Sequence, residues 1–108
     1  MKIGEIILIP FPFADLTNKK VRPAVIITET KDKYKDLVVS AISSVVPSEI
    51  SNREVLLSPD SINNLRAYSV IKVDRIVTLK REDKIADLGN LSNKDLIKFK
   101  SILSEMIR

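Results

Sequence analysis

The sequence predicts a small, curled, mostly antiparallel β domain closed by one C-terminal helix, and three observations predict it. About six short apolar runs, rich in β-branched residues, are separated by prolines and polar turn formers. A single stretch near the end, Leu96 to Ile107, carries apolar residues at helical spacing. The 108 residues give room for one core, so a single domain over 1–108 is expected, with no repeat, linker or low-complexity tract.

Ile3 to Ile9 is the first strand, with Ile6-Ile7-Leu8-Ile9 as a continuous apolar run. Pro10-Phe11-Pro12-Phe13 lacks the N–H groups a paired ladder needs, so the strand is expected to end there. Its phenylalanines are expected to tuck into the core beneath a polar loop, Asp15 to Lys20. Ala24 to Thr28 is the second strand, Thr30 to Asp36 a charged connector, and Leu37 to Ile42 the third strand, ending in Ser43-Ser44. Val45 to Asn52 is loop and Arg53 to Leu57 a short fourth strand. Ser58 then caps a brief helical turn with Pro59 in its first position.

Tyr68 to Leu79 is the longest strand-like stretch. Its apolar phase slips between Val73 and Ile76, which predicts a bend or bulge around Asp74-Arg75. Lys80 to Asp83 is a charged turn, and Lys84 to Leu88 a last strand before Gly89-Asn90. Ser92-Asn93-Lys94-Asp95 starts the helix in the manner of a capping box. Leu96, Phe99, Ile102, Leu103, Met106 and Ile107 fall on its apolar stripe, which is core, and Ile97 lies off it.

Composition narrows the chemistry. With no Cys and no His, disulfides, thiolate nucleophiles, the usual zinc sites and every mechanism that needs imidazole are excluded. The two glycines, Gly4 and Gly89, cannot make a phosphate-cradling loop or a dinucleotide fingerprint. A net charge of +4 permits an anionic partner without requiring one. The apolar N-terminus carries Glu5 and two prolines and lacks a small-residue cleavage site, and no apolar run nears the ~20 residues of a membrane span. A soluble, cytoplasmic protein without membrane contact is expected.

Polar groups sit at the ends or bends of buried strands in three places. Pro23 fixes its own φ and holds Arg22 extended at the mouth of the second strand. A guanidinium held so suits bidentate binding of phosphate or carboxylate, although a plain surface Arg before a proline has the same sequence. Ser43-Ser44 ends the third strand. Lys72 and Asp74 share a face of the late strand at i and i+2, about 6.5–7 Å apart along it. That spacing would straddle a phosphodiester, and it would equally make an exposed ion pair of little energetic consequence.

Taken together and in order, these stretches resemble the MazF/PemK toxin family along nearly the whole chain. Gly4 to Phe13 looks like the family's first strand in a Pro-Phe-Pro-Phe variant, and Val21-Arg22-Pro23-Ala24-Val25-Ile26-Ile27 matches its Arg-Pro motif. Leu37 to Ser44 resembles the strand that ends in a hydroxyl, Ser69 to Leu79 the late strand, and the terminal helix also fits. The resemblance implies an SH3-like barrel of the MazF/PemK/CcdB type that forms a homodimer. It also implies a metal-independent, cofactor-free endoribonuclease that cuts single-stranded RNA and is neutralised by a cognate antitoxin protein.

By the same resemblance Arg22 and Ser43 bind and stabilise the reacting phosphate, while Lys72 and Asp74 stand where the plasmid-borne branch has its Arg-x-Asp acid and base. The nucleophile is the RNA's own 2′-OH. Asp74 would take its proton, a role that partial burial would favour. Arg22 would clamp the phosphorane, Ser43 donate to a non-bridging oxygen, and Lys72 serve the 5′-oxygen. Lys19, Lys20 and Arg75 would hold flanking phosphates, with Pro23 and Ser44 beside them. The chain departs from the family in having Ser43 for Thr, which loses the methyl that fixes the rotamer, and Lys72 for Arg, which loses the planar fork. Two other functions fit the same barrel: a gyrase-poisoning toxin acting through its terminal helix, and a relative that binds RNA or antitoxin without cutting.

Overall fold

A computed structural model of the chain describes residues 2–11 and 20–108. Six strands form one antiparallel sheet: β1 (Glu5–Phe11), β2 (Lys20–Glu29), β3 (Leu37–Ser43), β4 (Glu54–Leu57), β5 (Ser69–Leu79) and β6 (Ala86–Asn90). Their order across the sheet is β4-β5-β3-β2-β1-β6. A 3-10 turn, Arg81–Asp83, links β5 to β6, and the helix α1 (Asn93–Met106) follows. No helix among the described residues is long and apolar enough to cross a membrane.

The first strand does not stop at Pro10. Pro10 pairs with Val21 and Phe11 with Lys20, so β1 and β2 run further together than the prolines suggested. The reason lies on the other side of β1, where β6 pairs only as far as Leu8 opposite Ala86. Beyond Leu8 the strand has one neighbour, and the N–H that proline lacks has no ladder to interrupt there. The same pairing draws β2 back past Pro23 to Lys20, four residues before the expected start at Ala24. The expected loop residues up to Lys19, and the expected burial of Phe11 and Phe13, lie outside the described residues and side chains.

Alternation along the strands splits the core between the two faces of the curled sheet. Ile6, Val25, Ile42, Val55, Leu57, Ile71 and Val73 face one way, where Phe99 of α1 is buried among them. Ile7, Ile9, Ala24, Ile26, Leu37, Val39 and Ala41 face the other. The helix begins as its sequence predicts, with the Asp95 N–H donating to Ser92 Oγ at 3.3 Å. Leu96, Ile102, Leu103 and Met106 pack on the first cluster, but Ile107 lies past the last turn and is exposed, so the stripe ends at Met106.

The turn after β4 is organised by Asp60 rather than Ser58. Asp60 Oδ1 accepts the N–H groups of Ile62 and Asn63 at 2.8 and 2.7 Å, and the Asn64 N–H closes one helical turn on the Asp60 carbonyl. This turn is stapled to β6 through Asn64 Nδ2, which donates to the Leu88 carbonyl, and through the Asn90 N–H, which donates to Ile62. Gly89 permits the closeness: a Cβ there would collide with the Ile62 carbonyl oxygen. Gly89 and Asn90 therefore belong to β6, which begins at Ala86 rather than Lys84.

The expected irregularity in β5 is present. Ser40 pairs with Ile76 while its neighbour Ala41 pairs with Lys72, which leaves residues 73–75 outside the ladder with β3. One bond bridges the gap to β3 and another turns to the β4 side. The buried Ser40 hydroxyl donates to the Val73 carbonyl at 2.8 Å, and the Val73 N–H donates to the Arg53 carbonyl at 3.0 Å. The bulge restores the apolar phase, returning Val77 and Leu79 to the second cluster.

Candidate functional site

The β2–β3 pairing reaches Ala24 opposite Ala41 and goes no further. Pro23 has no N–H to extend it toward β3. Continuing that register by two residues brings Arg22 opposite Ser43, on the face that carries Ala24 and Ala41. Both residues are half-buried. The proline thus ends the ladder at the point where a guanidinium and a hydroxyl face the same space.

Ser43 is better fixed than its side-chain type suggests. The Val45 N–H donates to Ser43 Oγ at 3.1 Å, which holds the oxygen in one place and leaves its own O–H to donate elsewhere. The rotamer control lost with the Thr methyl is supplied by this local turn.

Lys72 pairs with Ala41 and Ser43 with Val70, so Lys72 is the diagonal neighbour of Ser43 on the same face. Its ammonium is not paired with Asp74. It contacts Glu54 Oε2 at 3.2 Å, across from it on β4. Glu54 is held below the ordinary carboxylate range, chiefly by the Ser51 N–H donated to its Oε1, with the Ser51 hydroxyl and the Lys72 charge adding to this against the cost of burial. Glu54 is therefore an ionised partner of Lys72, and nothing local in the sequence around Lys72 announces it. Only the pairing of Glu54 with Lys72 brings them together.

Asp74 and Arg75 sit on the bulge and are exposed. The partial burial expected for Asp74 is not supplied by the single chain. Lys20 is exposed at the start of β2 on the Arg22 face, and Lys19 lies outside the described residues. Pro23 and Ser44 turn to the opposite face, where with Val21, Leu65, Arg66 and Leu88 they line a mainly apolar cavity of about 390 Å³. The structure thus gathers Arg22, Ser43, Lys72 and Lys20 on one face and puts Asp74 and Arg75 beside them on the bulge. Pro23 and Ser44 it separates from them. Among the described residues no group of three or more Asp or Glu side chains gathers into a metal-holding cluster.

Comparison with known proteins adds the frame. Residues 2–107 match the family described as PemK-like, MazF-like toxin of type II toxin-antitoxin system. Among solved structures, an endoribonuclease from a mycobacterial species, in complex with its cognate antitoxin, superposes with a TM-score of 0.75 at 14% identity. That match covers 99% of this chain and 94% of the other. The Mycobacterium tuberculosis toxin MazF-mt6 superposes with a TM-score of 0.72 at 20% identity, covering 95% of each chain. No curated protein sequence matches.

Proposed function

This chain belongs to the PemK-like, MazF-like toxins of type II toxin-antitoxin systems, and on that premise we propose that it is an endoribonuclease which cuts single-stranded RNA without a metal ion. The observation that carries the reading is the β2–β3 register, which continued past Pro23 brings Arg22 opposite Ser43, with Lys72 diagonal to Ser43 and Asp74 on the adjoining bulge.

In the proposed reaction the RNA's 2′-OH attacks the adjacent phosphorus. Asp74 takes the 2′ proton, a 2′,3′-cyclic phosphate forms, and the 5′-oxygen leaves with a proton from Lys72. Arg22 and the Ser43 hydroxyl hold the non-bridging oxygens as charge builds on them, the point where fixed donors contribute most. Lys72 has to leave Glu54 to reach the leaving oxygen. Lys20 and Arg75 hold flanking phosphates and add salt dependence to binding. The reading carries with it a homodimer, a protein antitoxin and a cytoplasmic place of action.

Long unstructured RNA incubated with the purified protein in excess EDTA tests it. Discrete cuts with 5′-hydroxyl ends are expected. RNA left intact both in EDTA and in Mg²⁺ overturns the proposal.

A further inference from the structure

We infer that Tyr68 is a stacking platform for a nucleobase next to the scissile phosphate, a contact that rests on the ribonuclease reading above. Ser43 pairs with Val70, and Val70 pairs in turn with Leu56 of β4. Lys72 and Val70 lie on the Arg22–Ser43 face, and one further step of the alternation, immediately before β5 begins, brings Tyr68 to that face. Tyr68 is then the second diagonal neighbour of Ser43, about 7–8 Å away, with Lys72 as the first. The hydroxyl expected to hold the phosphate lies between a cation on one side and an aromatic ring on the other.

Tyr68 is 60% exposed. The other tyrosine, Tyr34, lies in the β2–β3 connector at the far end of the strands, where the Lys33 ammonium sits 5.1 Å from its ring centre. Phe99 is buried in the core. Among the described side chains, Tyr68 is thus the exposed ring on the face where Arg22, Lys20 and Lys72 would draw in a polyanion. A single strand offers its bases beside its phosphates, and an open aromatic face takes a base with little regard to sequence. A second chain seated on the same ring is the competing account.

The test separates base from phosphate. A short random-sequence pool of 2′-O-methyl RNA, which cannot be cut, and an abasic strand of equal length are titrated against wild type, Tyr68→Ala and Tyr68→Phe. Tyr68→Ala is expected to bind the pool about 5- to 150-fold more weakly and the abasic strand as wild type does. Tyr68→Phe is expected to bind both normally, because stacking needs the ring and not the hydroxyl. Because the chain has no Trp and two Tyr, emission from Tyr34→Phe reports Tyr68 alone, and the pool is expected to quench it while the abasic strand does not.

The inference is overturned if Tyr68→Ala binds the pool as wild type does, if it weakens pool and abasic strand equally, or if its loss of binding tracks a fall in sedimenting mass. The last result would give Tyr68 to a protein contact. A wild type that binds bases through Tyr68 but cuts no RNA would sink the ribonuclease reading while leaving this contact in place.

Discussion

The two halves of the candidate site are built by opposite means. Arg22 and Ser43 come to face each other because the β2–β3 ladder, past a register shift between Ile26 and Thr28, runs regularly from Ile26 opposite Val39 to Ala24 opposite Ala41 and is then stopped by Pro23. Asp74 stands out from the sheet because the β3–β5 ladder fails there, and its neighbour Lys72 is held by Glu54. The regular end fixes a cation and a hydroxyl on the open face. The irregular part offers a carboxylate and a neutralised cation. Regularity suits the groups that only have to hold a phosphate. The carboxylate that has to take a proton sits where the backbone is free of the ladder with β3, two residues beyond the still-paired Lys72.

The sharpest way to break this contrast is Arg22→Ala. If the regular end is the clamp, cleavage falls about 10³- to 10⁵-fold, the range for removing a guanidinium from a phosphoryl-transfer transition state. Circular dichroism should show the fold intact, because a half-buried residue at a strand mouth leaves no core cavity. A variant that cuts RNA at the wild-type rate removes the clamp from the mechanism. Asp74→Asn comes next, with an expected loss of about 10²- to 10⁴-fold in the cleavage step and little change in RNA binding. Equal losses in binding and rate would make Asp74 a binding residue instead.

Ser40→Ala probes how the bulge is held. It removes the donor to Val73 and leaves a buried carbonyl unpaired, so unfolding in urea should show a loss of about 1–3 kcal/mol. Cleavage should fall further than binding, since the segment that carries Asp74 loosens while Arg22 and Ser43 stay in place. A stability unchanged to within about 0.5 kcal/mol would mean that the bond does not hold the bulge.

What was legible in the sequence follows the same division. β3, the late strand and its slip of phase, and the Ser92 cap were readable because each depends on alternation, period or a local bond. Arg22 and Ser43 were readable as strand-end residues, and the register then joined them. The extents of β1 and β2 were not, because whether a proline ends a strand depends on whether a neighbour needs its N–H, and that neighbour, β6, lies some eighty residues away in the chain. Glu54, Ser40 and Tyr68 stayed hidden for the same reason. Each acquires its place from a partner strand, Glu54 from Lys72, Ser40 from the Val73 carbonyl and Tyr68 from the line through Val70 and Ser43. Asp60 shows the converse, since Ser58-Pro59 carries a helix-start signal that a better-placed carboxylate two residues on overrides.

The smallest expected effect concerns the hold of Glu54 on Lys72. Glu54→Gln removes the negative charge and leaves the ammonium for RNA phosphate. The plot of log affinity against log salt should steepen by about 0.7, the increment for one more phosphate contact on a single strand. The sign with pH follows from the position of Glu54 below the ordinary carboxylate range. Wild-type Glu54 stays ionised through neutral and mildly acidic conditions and gains its proton only as pH falls through its lowered value. The binding difference between wild type and Glu54→Gln should therefore be present at neutral pH and close only in acid, as protonation makes the two side chains alike in charge. An unchanged salt slope would mean that Lys72 reaches phosphate despite Glu54 or never meets it. In either case Glu54 would not be what limits Lys72, and the contrast between a regular clamp and a masked acid would reduce to the bulge alone.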